Sequence, residues 1–199
     1  MIRKGCFVCI EGLDGSGKST QARLLAERLQ KTRRVLLTVE PSRGRIGTFI
    51  RQSYLYGENR LSSVVEALLF AADRVDHVQN EIAPALETGD VVISDRYVYS
   101  SLAYQGAAGL SLEWIEKVNS HALRPDIALF LDVDLGTVMK RLKPRKSIME
   151  NLETQERVRG YYLDLVKVGL LRRVDGNRVK SEIAEETFSI VQDFLASRA

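Results

Sequence analysis

Cys6-Phe7-Val8-Cys9-Ile10-Glu11-Gly12-Leu13-Asp14-Gly15-Ser16-Gly17-Lys18-Ser19-Thr20 decides the architecture. Cys6 to Ile10 is an apolar run of strand length. Gly12 to Ser19 then satisfies G-x-x-x-x-G-K-[ST] in full, and a helical period runs on from about Lys18 to Lys31, with Ala22, Leu25, Ala26 and Leu29 on one face. Strand, glycine-rich turn and helix in that order make a phosphate cradle. Its glycines let the backbone turn tightly, so that successive N–H groups and the helix N-terminus face one anion. Residues Gly12, Leu13, Asp14, Gly15, Ser16, Gly17, Lys18, Ser19 and Thr20 are expected to hold a nucleoside triphosphate. Lys18 is expected on the terminal phosphates and the Ser19 hydroxyl on Mg²⁺. The alternative, a turn that binds nothing, is disfavoured by the strand–turn–helix frame. A GTPase, a motor ATPase and a small-molecule kinase all share this cradle, so the reaction must be read elsewhere.

Working outward, strands and helices alternate. Strands are expected at Val35–Val39, Val91–Ser94, Ile127–Val133 and Leu170–Val174. Helices are expected after Gly47, from about Ser63 to Leu86, after Tyr99, near Trp114 to Leu123, at Leu135–Leu142 and at Leu152–Val168. The long helix carries a stripe of Val64, Leu68, Ala71, Val75, Val78 and Ile82. A C-terminal helix is expected to bury Ala184, Phe188, Val191 and Leu195. Such alternation implies a parallel sheet covered on both faces, an α/β fold. No boundary is visible, so residues 1–199 read as one domain.

The chain's 199 residues allow one core or at most two. Apolar residues at 45% and charged residues at 28% exclude disorder. No apolar run approaches the roughly 20 residues that span a bilayer, so no membrane partner is expected, and no leader is expected ahead of the cradle. A net charge of +3 is too small to argue for nucleic acid. Cys6 and Cys9 are three apart on a strand and point to opposite faces. With no second cysteine pair to complete a zinc site, they read as core residues in a reducing compartment. His77 and His121 fit no ligand pattern.

Val92-Ile93-Ser94-Asp95-Arg96-Tyr97-Val98-Tyr99-Ser100-Ser101-Leu102-Ala103-Tyr104-Gln105 informs on the acceptor side. A buried strand there delivers polar and charged groups at its carboxyl end, where open α/β sheets bind ligands. A guanidinium at that edge can bridge phosphates. A solvated strand end is the alternative. On the long helix, Phe70 and Arg74 are four residues apart and share a face. A ring there can stack on a base while the arginine donates to a base carbonyl. The alternative is a second packed face with a surface arginine.

With these residues in view, the chain resembles the thymidylate kinases, the nucleoside-monophosphate kinases that phosphorylate dTMP. The resemblance spans essentially the whole chain. It rests on Glu11–Gln21, on Glu40-Pro41 with Arg51 beyond, on Phe70-Ala71-Ala72-Asp73-Arg74, on Asp95–Gln105, and on Arg124-Pro125-Asp126 leading to Leu131-Asp132-Val133. It implies a P-loop kinase fold with a five-stranded parallel sheet, helices on both faces and a short lid at about residues 141–150. It also implies ATP and Mg²⁺, dTMP as acceptor, a homodimer and a cytoplasmic setting.

By the same resemblance Asp14 reads the sugar 3′-OH, Tyr104 crowds the 2′ side, and Ser101 and Gln105 contact the base. Asp95 and Arg96 handle the acceptor phosphate and the associated Mg²⁺ or water. Glu40, Arg51, Phe70, Arg74 and Ser100 complete the acceptor site, with a solvated side chain on an amphipathic helix as the alternative for Arg51. Lys18, Arg96, Asp14 and one lid arginine carry the catalysis. Some members place an arginine inside the cradle where Gly15 stands here, so the lid must supply it. Arg145, beyond Pro144, is favoured for the transition state, and Arg141 for flanking the ATP. The rival readings are another nucleoside-monophosphate or deoxynucleoside kinase and a silent nucleotide-binding module. A GTPase is disfavoured by the absence of Asn/Thr-Lys-x-Asp.

Overall fold

Every residue of β1 (Cys6–Glu11) is buried, and so is every residue of β3 (Val91–Asp95). Neighbouring residues of a strand point to opposite faces, so both strands are covered on both sides. Each large apolar side chain removed from water in this way contributes roughly 1.5–3 kcal/mol. The computed structural model describes residues 5–55, 61–141 and 152–198. β2 (Val35–Val39), β4 (Ile127–Asp132) and β5 (Arg172–Asp175) join β1 and β3 in one sheet of order β2-β3-β1-β4-β5, with every pairing parallel. The expected five-stranded parallel sheet is therefore present. In the register, Ile10 pairs with Asp95 and Glu11 with Phe130, so the cradle leaves the sheet centre level with the end of β3.

The helices are α1 (Lys18–Leu29), α2 (Arg45–Phe49), α3 (Ser63–His77), α4 (Ala83–Glu87), α5 (Val98–Ala107), α6 (Leu112–Val118), α7 (Leu135–Arg141), α8 (Leu152–Lys167) and α9 (Lys180–Ala196). α2 continues as a π-helical turn over Ile50–Leu55, and α3 runs into α4 through another over Val78–Ile82. α1 packs against α9, and α5 packs against α8. Among the described residues no helix is long and apolar enough to cross a membrane. Apart from Arg141, the expected lid segment at about 141–150, including Arg145, lies outside the described residues.

Two helix faces differ from expectation. The expected stripe is buried at Ala71, and at Val78 and Ile82 in the turn beyond α3, but Val64 and Leu68 are 44% and 47% exposed, while Glu66, Asp73, Arg74 and His77 are buried. Nearly every position from Val64 to Ala72 is apolar, so periodicity could not choose the inward face. Hydrogen bonds between Asp73, Arg74 and His77 and the chain after β2 fix it instead. On α9 the fully buried residues are Ile183, Thr187, Ile190 and Val191, whereas Ala184, Phe188 and Leu195 are only half-buried. The Thr187 hydroxyl can go inside because it donates to the Ile183 carbonyl.

Candidate active site

Gly12 and Gly17 shape the cradle. Gly12 has φ of 151° and Gly17 has φ of 98°, values that side chains rarely adopt. A Cβ on Gly12 would also stand 2.9 Å from the Leu131 carbonyl oxygen. Lys18 Nζ is buried and donates to the Leu13 carbonyl at 2.7 Å. Burial, together with the Arg96 charge, lowers its pKa to about 8 against the pull of Asp14, Asp95 and Glu11.

The turn after β3 is built by a residue from β1. Tyr97, at the N-cap of α5, supplies no side-chain cap. The buried Glu11 carboxylate does this instead, accepting from the backbone N–H groups of Tyr97 at 2.9 Å and Ser100 at 3.3 Å. It also accepts from Ser100 Oγ at 2.6 Å and the Tyr162 hydroxyl at 3.1 Å. Burial raises its pKa, and these donors hold the rise back. The turn so held puts Arg96 at φ of 70°, the left-handed region.

From that backbone the Arg96 guanidinium reaches Asp14 at 2.6 Å, Ser100 Oγ at 3.0 Å and the Tyr104 hydroxyl at 3.2 Å. Tyr104 in turn donates to the other Asp14 oxygen at 3.3 Å. Burial acts to raise the Asp14 pKa, but the charges of Arg96 and Lys18 outweigh it and leave it at about 2. Asp14, Arg96, Ser100 and Tyr104 thus form one cluster where the cradle meets the end of β3.

Beside it, Ser19 Oγ donates to Asp95 Oδ2, while Asp95 Oδ1 is buried with no hydrogen-bond partner among the described residues. An orphaned carboxylate oxygen next to a hydroxyl is the hard donor set that Mg²⁺ takes alongside substrate phosphates. Among the described residues no group of three or more His, Cys, Asp and Glu could hold a metal alone.

A cavity of about 970 Å³ opens over this edge. The cradle from Asp14 to Thr20 lines it, as do Glu40, Arg51, Asp95, Arg96 and Arg141. Arg141 Nη1 reaches the Gly15 carbonyl at 3.5 Å, beside the position that lacks an arginine. Arg51 donates to the Pro41 carbonyl and, at 3.3 Å, to Thr48 Oγ1, so it is tied to the wall rather than solvated.

Gly12, Leu13, Phe70, Arg74, Ser100, Ser101, Tyr104 and Gln105 do not line the cavity. Phe70 is half-buried in a cluster with Ile50 and Leu55, the latter on the cavity wall. Ser101 and Gln105 are each 3% exposed, and Gln105 Nε2 contacts Glu66 Oε1 at 3.5 Å. Arg74 is buried and ion-paired with Glu40 at 2.7 Å, so the surface-arginine alternative is excluded.

Sequence reading missed Arg43, Arg178 and Lys180, which also line the cavity. Arg178 and Lys180 follow the carboxyl end of β5, so the edge rule that singled out Asp95 could have found them. Glu11 as a helix cap left no comparable signal.

A family model for thymidylate kinase matches residues 10–187. The chain belongs to the thymidylate kinase family. A probable thymidylate kinase of Pyrococcus abyssi is 46% identical over 201 residues, covering 96% of this chain and 98% of the relative. Proteins of the same name from Thermococcus gammatolerans and Pyrobaculum calidifontis are 44% and 42% identical, over 97% and 96% of this chain and 99% and 98% of their own lengths. The thymidylate kinase fold accounts for the parallel sheet with its helices, and family membership makes the protein a phosphotransferase.

Proposed function

We propose that the chain transfers the γ-phosphoryl group of ATP in line onto the 5′-monophosphate of dTMP, giving dTDP. The observation that carries this reading is the cluster of Arg96, Asp14 and Tyr104, which joins the end of β3 to the inside of the cradle. A cation there meets both the donor and the acceptor phosphate, and offsetting the repulsion of two anions is most of what this reaction needs. An acceptor phosphate is already ionised, so no general base is required.

Lys18 and the cradle N–H groups hold the triphosphate. Arg96, with Ser100 beside it, holds the acceptor phosphate. Asp14 keeps Arg96 in place and accepts from the sugar, and Tyr104 closes the 2′ side. Phe70, Arg74, Ser101 and Gln105 take the base, with Glu40 and Arg51 fixing the wall around it. Ser19 and Asp95 would hold Mg²⁺, which offsets phosphate charge when bound. Arg141 flanks the ATP, and Arg145 acts from a lid at about 141–150 of a single domain.

The exposed apolar residues Val64, Val65 and Leu68 on α3 suit a homodimer face. A cytoplasmic setting fits a protein whose substrates are free nucleotides.

The test is a coupled assay with MgATP and dTMP, dUMP, UMP, CMP and dCMP side by side. The highest kcat/KM is expected for dTMP. A preference for a cytosine nucleotide, or ATP binding without turnover on any acceptor, would overturn the reading.

A further inference from the structure

His77 fits no motif, yet its imidazole is fully buried between two carboxylates. Nδ1 lies 3.3 Å from Glu40 Oε1 and Nε2 lies 3.2 Å from Glu81 Oε2. Thr38 Oγ1 stands 2.8 Å from Nε2 and donates to Glu81 at 3.3 Å. Glu40 is on the cavity wall. Its other oxygen, Oε2, takes Arg74 Nε at 2.9 Å and Nη2 at 2.7 Å, while Arg74 Nη1 donates to Asn119 Oδ1. One residue before Arg74, Asp73 accepts from the Ser42 N–H and Oγ, both at 2.6 Å. α3 therefore grips the wall segment 40–42 through Asp73, Arg74 and His77.

We infer that His77 is a positioning residue for the acceptor site: it holds Glu40 from behind, so that Glu40 fixes the plane of the Arg74 guanidinium. The inference rests on the reading of Arg74 as a base-binding residue. Arg74 engages a single oxygen of Glu40. With Oε1 held by His77, the carboxylate cannot swing to offer Arg74 the two-oxygen fork it favours. Without that hold, the buried Oε1 loses its partner and the carboxylate turns toward the guanidinium. A guanidinium is a planar fork, and its donors aim along fixed directions, so a turn of the Glu40 carboxylate re-aims them away from the base. The consequence falls on acceptor binding and spares the triphosphate, because Lys18 and the cradle make no contact with this network.

His77→Asn and His77→Gln in the full chain separate positioning from packing. An Asn amide N–H replaces Nδ1 and keeps the Glu40 contact, whereas a Gln amide N–H replaces Nε2 and loses it. His77→Gln is expected to raise KM for dTMP about tenfold, the worth of one buried charge-assisted hydrogen bond. KM for ATP should stay within about twofold, and His77→Asn should restore most of the loss. Glu81→Ala alters only the half-exposed outer end of the network, so it is expected to fold whatever His77→Gln does. It should raise KM for dTMP about threefold through a looser ring. Arg74→Lys, which keeps the charge beside Glu40 and removes the fork, tests the underlying reading and should also raise KM for dTMP. An unchanged KM in Arg74→Lys overturns that reading and the inference with it. A raised KM in Arg74→Lys with normal dTMP KM in His77→Gln and Glu81→Ala overturns the inference alone. Equal effects on both substrates, or an Asn variant worse than Gln, would also sink it.

Discussion

Lys18 carries a charge in a buried place, and two expectations follow. Burial and the neighbouring Arg96 depress its pKa to about 8, so the ammonium is complete below that pH and is lost as pH rises through it. In the free enzyme, kcat/KM for ATP should therefore fall above about pH 8. A bound triphosphate stabilises the ammonium, so the fall in kcat should come at higher pH; paired pH profiles of the two parameters check this. Lys18→Ala should abolish turnover without lowering Tm, since it removes a desolvated charge along with the bond to Leu13. Near-normal turnover in that variant would refute the cradle assignment. For Phe70, replacement by Ala should raise KM for dTMP well above any effect on ATP, because a stacked base is worth roughly 1–3 kcal/mol. If dTMP KM stays put, Phe70 is only a packing partner of Ile50.

At the scale of elements, the cradle and the Asp95–Arg96 turn could be read in advance because each is a local pattern in which fixed spacing forces the geometry. The strands could be read for the same reason, and each runs within a residue or two of its expected span. The polar part of the inward face of α3 could not be. It depends on pairing with Glu40 and Ser42, which lie 34 and 31 residues away from their partners Arg74 and Asp73. No periodicity encodes a partner that distant. The Glu11 cap on α5, 86 residues from Tyr97, was hidden for the same reason.

The proposed lid belongs to this scale too. Arg141 ends α7 and already reaches the cradle at Gly15, whereas Arg145 lies beyond Pro144. Arg145→Ala should lower kcat and kcat/KM together with little change in ATP affinity, and Arg141→Ala should mainly raise KM for ATP. Steady-state kinetics of the two variants decide between them, and a fully active Arg145→Ala enzyme would settle the matter against Arg145.

For the whole molecule, the outward apolar residues at the start of α3 become informative. Val64, Val65 and Leu68 are each more than 40% exposed on one helix, an apolar surface with no partner within the described chain. A second copy would cover it, and the same helix bears Phe70 and Arg74, the residues proposed to take the base. Leu68→Asp should shift the protein toward monomer in analytical ultracentrifugation. If Phe70 and Arg74 take the base as proposed, it should raise KM for dTMP more than KM for ATP, because their helix loses its support. A wild-type chain that sediments as a monomer at micromolar concentration would rule the dimer out.

Arg96 sets a rule for anyone who would engineer this chain. A left-handed backbone at a residue with a side chain costs on the order of 1–3 kcal/mol, and glycine would relieve it. A library scored only on surviving heat would weigh that relief against the lost bonds to Asp14, Ser100 and Tyr104, and any glycine it enriched at position 96 would give up the guanidinium.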